Sequence, residues 1–176
     1  TSLYQTPRGN SAVAANLAKV REAIDDQAVR LIAVTKHATN AQIEEAFSLG
    51  VSEFGESRVQ DALKKRDELP PHVALNSNWH FIGHLQSNKV KQAVGNFALI
   101  HSVDSLSLAE EVSRIACQKG TTQSILLQVK ILPDDSKSGF TKEELCKNLS
   151  TILALPSIKV EGLMTITPLT NDVKLW

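Results

Sequence analysis

The sequence is poor in the features that mark several large protein classes. It holds two cysteines, Cys117 and Cys146, with no metal-site spacing around either. Neither a disulfide framework nor a zinc module is indicated, and a reduced, cytoplasmic setting is expected. Charge of one sign is not in excess, since Lys plus Arg and Asp plus Glu both number 19. Nucleic acid or an anionic membrane would favour a basic surplus, so neither is expected as a partner. No apolar run approaches the ~18–20 residues that span a bilayer. Residues 1–10 are polar, carry Pro7 and Gly9, and lack the apolar core of a signal peptide. They are expected to form a flexible leader. No Pro/Gly/Ser-rich linker, low-complexity tract or compositional break divides the chain, so residues 1–176 are expected to form a single domain. That length, at 42% hydrophobic, can bury a core without disulfides or metals.

What is present is a rhythm of short apolar runs and amphipathic stretches. Val13, Leu17, Val20 and Ile24 stripe one helical face. Leu31 to Val34 reads as a buried parallel strand. Thr39 with Gln42 predicts a capping box opening a helix that stops at Gly50. Glu53 to Ser57 predicts a second strand, and a charged helix then runs to about Leu69, where Pro70-Pro71 ends it. Trp79 to Gly83 predicts a third strand, with a short helix after Ser87, and Ala98 to Val103 a fourth. Leu108, Val112 and Ile115 stripe a helix that stops at Gly120. Ile125 to Val129 predicts a fifth strand. Thr141 with Glu144 opens a helix through Leu145, Leu149 and Ile152, and Val160 to Ile166 predicts a sixth strand.

Strands alternating with helices mean βα units and a parallel α/β sheet. An open doubly wound sheet and a closed TIM-type (β/α) barrel both fit. The lack of G-x-G-x-x-G after the first strand weakens the dinucleotide-binding form of the open sheet. Polar or ionisable residues end nearly every strand: Lys36, Glu56 with Ser57, His84, Ser102 with Asp104, Lys130 and Thr165. Such scatter is what the catalytic face of a barrel looks like, although loops are polar in any fold.

Lys36 follows a run of apolar residues. Low-dielectric flanks would disfavour its ammonium form and free the amine for attack on an aldehyde; the plain alternative is a solvated lysine leaving a strand. His80 and His84 are spaced to share one face of a strand, but no third metal ligand is evident, so a structural role is the simpler reading. Gln86, Ser87 and Asn88 lead into a helix, where N-capping competes with anion binding. Asp134 and Asp135 lie in a polar loop after the fifth strand and read as solvated charges. Met164 reads first as core.

Taken in order, the motifs resemble those of the pyridoxal 5′-phosphate (PLP) homeostasis protein family. Ala33-Val34-Thr35-Lys36 resembles A-V-S/T-K, and Phe54 to Asp61 resembles F-G-E-N-x-V-Q-E. Trp79 to Lys89 matches W-H-F-I-G-H-L-Q-x-N-K without a break. His101 to Ser105 fits H-S-V-D-S, Lys137-Ser138-Gly139 fits K-x-G, and Gly162 to Ile166 fits G-L-M-T-I. The resemblance implies a fold-type III barrel like that of alanine racemase, with PLP held as a Schiff base on Lys36. Ser57, His84, Ser102 and Met164 are the further cofactor contacts it puts forward. It also implies a monomer without robust catalytic activity, acting on vitamin B6 balance and through it on amino-acid and keto-acid metabolism, with any regulatory protein partner unidentified.

Two departures stand out. Ser57 occupies a position where many members have asparagine, so its reach is shorter. Members also continue through roughly two more βα units carrying M-G-M-S-x-D and S-T-x-[VI]-R-x-G, the latter binding the cofactor phosphate; neither motif occurs here, and the sequence is expected to be a shortened version of a longer barrel. Hydrogen bonds to a charged phosphate contribute ~1.5–3 kcal/mol each, so losing several would weaken PLP binding by orders of magnitude. Two other functions compete: a small fold-type III enzyme such as an amino-acid racemase, which needs a base on each face of the substrate where only Lys36 is evident, and a protein-interaction module.

Overall fold

The computed structural model describes residues 11–24, 28–131 and 138–167. The leader 1–10, the Asp134-Asp135 pair, Lys137 and the residues after 167 lie outside them. The chain divides into two compact units, Thr1–His80 and Phe81–Trp176.

In the first unit, α1 (Ala12–Ala23) is opened by Ser11, whose hydroxyl accepts from the Ala14 N–H at 3.1 Å. The expected apolar stripe is shallow: α1 buries no residue, and Val20 is 41% exposed. β1 (Ala33–Val34) is shorter than the apolar run predicts. The Thr39–Gln42 capping box forms as expected and starts α2 (Asn40–Ser48). The Arg21 guanidinium donates to the Leu49 carbonyl at 2.9 Å, satisfying the end of α2. β2 (Glu53–Glu56) pairs parallel with β1 in the register Ala33↔Phe54, Val34↔Gly55. α3 (Val59–Glu68) follows. Pro71 does more than end it, because proline suits a first helical turn and opens α4 (Pro71–Leu75). The core of this unit gathers Ile43, Phe54, Ala62, Val73 and Trp79. Phe54 and Trp79 stack at a tilt with ring centroids 5.6 Å apart.

β3 (Asn78–Phe81) carries the chain from the first unit into the second. A 3₁₀ turn at Ser87–Lys89 and α5 (Val90–Ala93) lead to β4 (Leu99–Val103). α6 (Leu106–Lys119) buries Leu108, Val112 and Ile115, the predicted stripe, and ends on Gly120 at φ 62°. β5 (Gln123–Gln128) pairs parallel with β4 and with β6 (Ile158–Met164). Between β5 and β6 lies α7 (Lys142–Leu153), opened by the predicted Thr141–Glu144 capping box. Buried Gln123 fixes the approach to β4: it accepts from the Gly95 N–H at 2.9 Å and donates to the Phe97 carbonyl at 3.1 Å. Phe81 and Phe97 meet edge to face at 5.3 Å.

The strand order is β1-β2-β3-β4-β5-β6. A doubly wound sheet reverses its order at a switch point, whereas a (β/α) barrel advances in sequence. The choice left open by the sequence therefore falls to the barrel-type α/β arrangement. Among the described residues no helix is long and apolar enough to cross a membrane.

Within the first unit, Glu53 joins β2 to β3. Its carboxylate accepts from Asn78 Nδ2 at 2.8 Å and lies 2.6 Å from His80 Nε2. Burial raises the Glu53 pKa, but hydrogen bonds from Asn78 and His80 and the charges of His80 and Arg30 outweigh it and hold the carboxyl below its ordinary value. A depressed carboxyl pKa adds stability that is present above the unfolded value, near 4.5, and lost as pH falls through the folded one. Glu53→Gln should cost about 1–2 kcal/mol near neutral pH, and urea melts should show the difference shrinking as pH drops below that range. In the second unit, Gly139 holds φ 137°, and an added Cβ would sit 3.1 Å from Lys130 N and Val129 C, both backbone. Gly139→Ala should therefore lower stability by roughly 1–3 kcal/mol in the same assay.

Candidate functional site

The chemistry-bearing residues of the first unit lie where β1 and β2 end. The β1/β2 register continues one step beyond β1, with the Thr35 N–H donating to the Gly55 carbonyl at 2.9 Å. Thr35 thereby stands beside Glu56. Its hydroxyl donates to Glu56 Oε1 at 2.6 Å, and the Lys65 ammonium, arriving from α3, donates to the same oxygen at 2.6 Å. Glu56 is 1% exposed. A buried carboxylate needs a counter-charge and hydrogen bonds, and here it has both. Removing one member of such a pair costs about 3–5 kcal/mol, because the other charge is left uncompensated.

The same lysine reaches further. Lys65 Nζ also donates to the Thr35 carbonyl, which accepts from the Ala38 N–H at 2.9 Å as well. The peptide that leads into Lys36 is thus held at Thr35 by its N–H, its carbonyl and its side chain. Lys36 itself is exposed, as is Val34 two residues earlier at 53%. Of the two settings the sequence left open for Lys36, low-dielectric flanks or a solvated lysine leaving a strand, the exposed side chain matches the second. Ser57 is half-buried at the exit of β2.

Sequence reasoning named Glu56 but missed Lys65. The signal lay in the helix pattern. Val59, Ala62 and Leu69 are buried, and position 65 falls on that same stripe at helical spacing. A lysine on an inward stripe calls for a buried acid.

In the second unit the polar residues also cluster at strand ends. Ser102, near the end of β4, is 1% exposed, and its hydroxyl is buried without a hydrogen-bond partner. Asp104 follows, with Oδ2 3.5 Å from His84 Nδ1; Ser138 Oγ lies at the same distance from that nitrogen. Both contacts are at the outer limit of hydrogen bonding. His84 is exposed. Gln128, at the end of β5, donates to the Ser138 carbonyl at 2.9 Å. Met164 ends β6 half-buried, and its carbonyl accepts from the Val129 N–H at 2.8 Å. Thr165 Oγ1 donates to the Val129 carbonyl at 3.1 Å.

The shared strand face read for His80 and His84 is not what the strand bounds give. β3 ends at Phe81, so the alternation stops before His84. His80 is buried against Glu53, whereas His84 lies in the loop. Among the described residues no three His, Cys, Asp or Glu side chains gather as a metal-binding group. Cys117 and Cys146 are free and exposed.

The sequence pattern of the alanine racemase N-terminal domain family matches residues 10–174. The chain is 49% identical over 141 residues to the pyridoxal phosphate homeostasis protein of a Synechocystis strain, covering 80% of this chain and 64% of that protein's length. It is 38% identical over 165 residues to the protein of the same name from Pseudomonas aeruginosa, covering 89% and 70%. The structure of PipY from Synechococcus elongatus with PLP bound superposes with a TM-score of 0.81 at 41% identity, over 91% of this chain and 73% of that one. The strand order, the six ordered motifs and these likenesses agree: the chain belongs to the alanine racemase N-terminal domain family and, within it, to the pyridoxal phosphate homeostasis proteins.

Proposed function

We propose that this chain binds pyridoxal 5′-phosphate through Lys36 and serves PLP homeostasis as a non-enzymatic carrier in the cytoplasm. The observation that carries the reading is the setting of Lys36: an exposed primary amine on a backbone clamped at Thr35 from three directions. When bound, PLP would supply an aldehyde, and the Lys36 amine is the group of this chain that would hold it. Each unit, taken by itself, carries side chains whose chemistry suits such a ligand. The first unit offers Lys36 just beyond β1 and the Ser57 hydroxyl just beyond β2. The second offers the unpartnered Ser102 hydroxyl, the exposed His84 imidazole and the half-buried Met164 side chain. Each is proposed as a cofactor contact on that chemistry.

Two relatives support the ligand, one by its name and the other by having been solved with PLP bound. The non-enzymatic role is proposed from the relatives, which carry the name of a homeostasis protein rather than of a reaction.

The reading is tested by mixing the chain with PLP, reducing with borohydride and mapping the label by peptide mass. The label should sit on Lys36, and Lys36→Ala should lose essentially all of it together with the visible absorption band. Label spread evenly over surface lysines, with the band unchanged in Lys36→Ala, would contradict the proposal.

A further inference from the structure

The proposed chemistry belongs to Lys36, yet the most heavily constrained polar groups nearby are three others. Glu56 is buried at 1% exposure and takes two short hydrogen bonds on one oxygen, from Thr35 Oγ1 and from Lys65 Nζ. Lys65, whose side chain is 16% exposed, divides its donors between Glu56 and the Thr35 carbonyl. That carbonyl also closes the turn through the Ala38 N–H, so Lys36 lies inside a short loop whose first residue is pinned by an ion pair.

We infer that Lys65 and Glu56, acting through Thr35, are positioning residues for Lys36: the buried pair fixes the backbone from which the amine projects and so sets its aim toward an aldehyde. This rests on the PLP reading above. The physical reason is selective. An ion pair placed only for stability has no need to bond the carbonyl preceding a reactive residue, and side-chain aim is sensitive to backbone placement, since an error of about 1 Å at a reacting group can cost on the order of a hundredfold in rate. Thr35 carries the coupling, being bonded at its N–H, hydroxyl and carbonyl together.

The test compares the unaltered chain with Lys65→Met, Lys65→Arg and Thr35→Val, at a temperature where urea melts show each one folded. Two readouts are taken. The first is amide hydrogen exchange at Ala38 without PLP. The second is the rate at which borohydride-trapped PLP accumulates on Lys36, followed by peptide mass. In Lys65→Met, Ala38 exchange should accelerate and the rate of Lys36 labelling should fall by roughly tenfold or more. Lys65→Arg, which keeps the charge and the donors, should recover part of both. Thr35→Val, which removes one hydroxyl and leaves the ion pair, should shift both readouts in the same direction by less, and it decides the matter together with Lys65→Arg if Lys65→Met does not fold. A folded Lys65→Met, or Thr35→Val and Lys65→Arg in its place, that labels Lys36 as fast as the unaltered chain overturns the inference while leaving the PLP reading intact. No Lys36 label in the unaltered chain overturns the reading and the inference together.

Discussion

Glu56 is a charged group placed where water does not reach, and the first unit is arranged around keeping it satisfied. The β1/β2 register sets Thr35 beside it, and α3 directs Lys65 inward at a position its apolar stripe would otherwise fill. Each of the three elements would leave a buried polar group unpaired if it moved alone, which is the costly case for a charge in a low-dielectric setting. One carboxylate thereby ties two strands and a helix together at the point where the chain turns out to Lys36.

Much of this was legible in the sequence, and the reasons differ by feature. Both capping boxes were readable because the Thr-x-x-Gln and Thr-x-x-Glu spacings encode reciprocal hydrogen bonds made within one turn. The buried stripe of α6 and its stop at Gly120 were readable because periodicity and a left-handed cap are local properties. Strand positions were found to within a few residues, although β1 is shorter than its apolar run because only two of those residues meet the ladder of β2.

What failed were inferences that needed the third dimension. The two histidines were assigned to one strand face, but β3 ends between them and Glu53 claims His80. For Lys36 the sequence left apolar flanks and a solvated strand exit both open, and the alternation that buries Thr35 exposes its neighbours on both sides. Lys65 was invisible as one basic residue in a charged helix. Only its phase relative to Val59 and Ala62 set it apart, and its partner is supplied by a strand. The barrel, by contrast, was reached from the sequence: periodicity alone left an open sheet standing, the family motifs pointed to the barrel, and the strand order agrees.

The first unit holds an exposed primary amine, Lys36, on a backbone constrained at Thr35. A crystal structure of the chain grown with PLP tests the central claim most directly. The account predicts continuous density from Lys36 Nζ into the cofactor, with the Thr35–Glu56–Lys65 contacts retained. Density on a different lysine, or a cofactor lying free of Lys36, would contradict it.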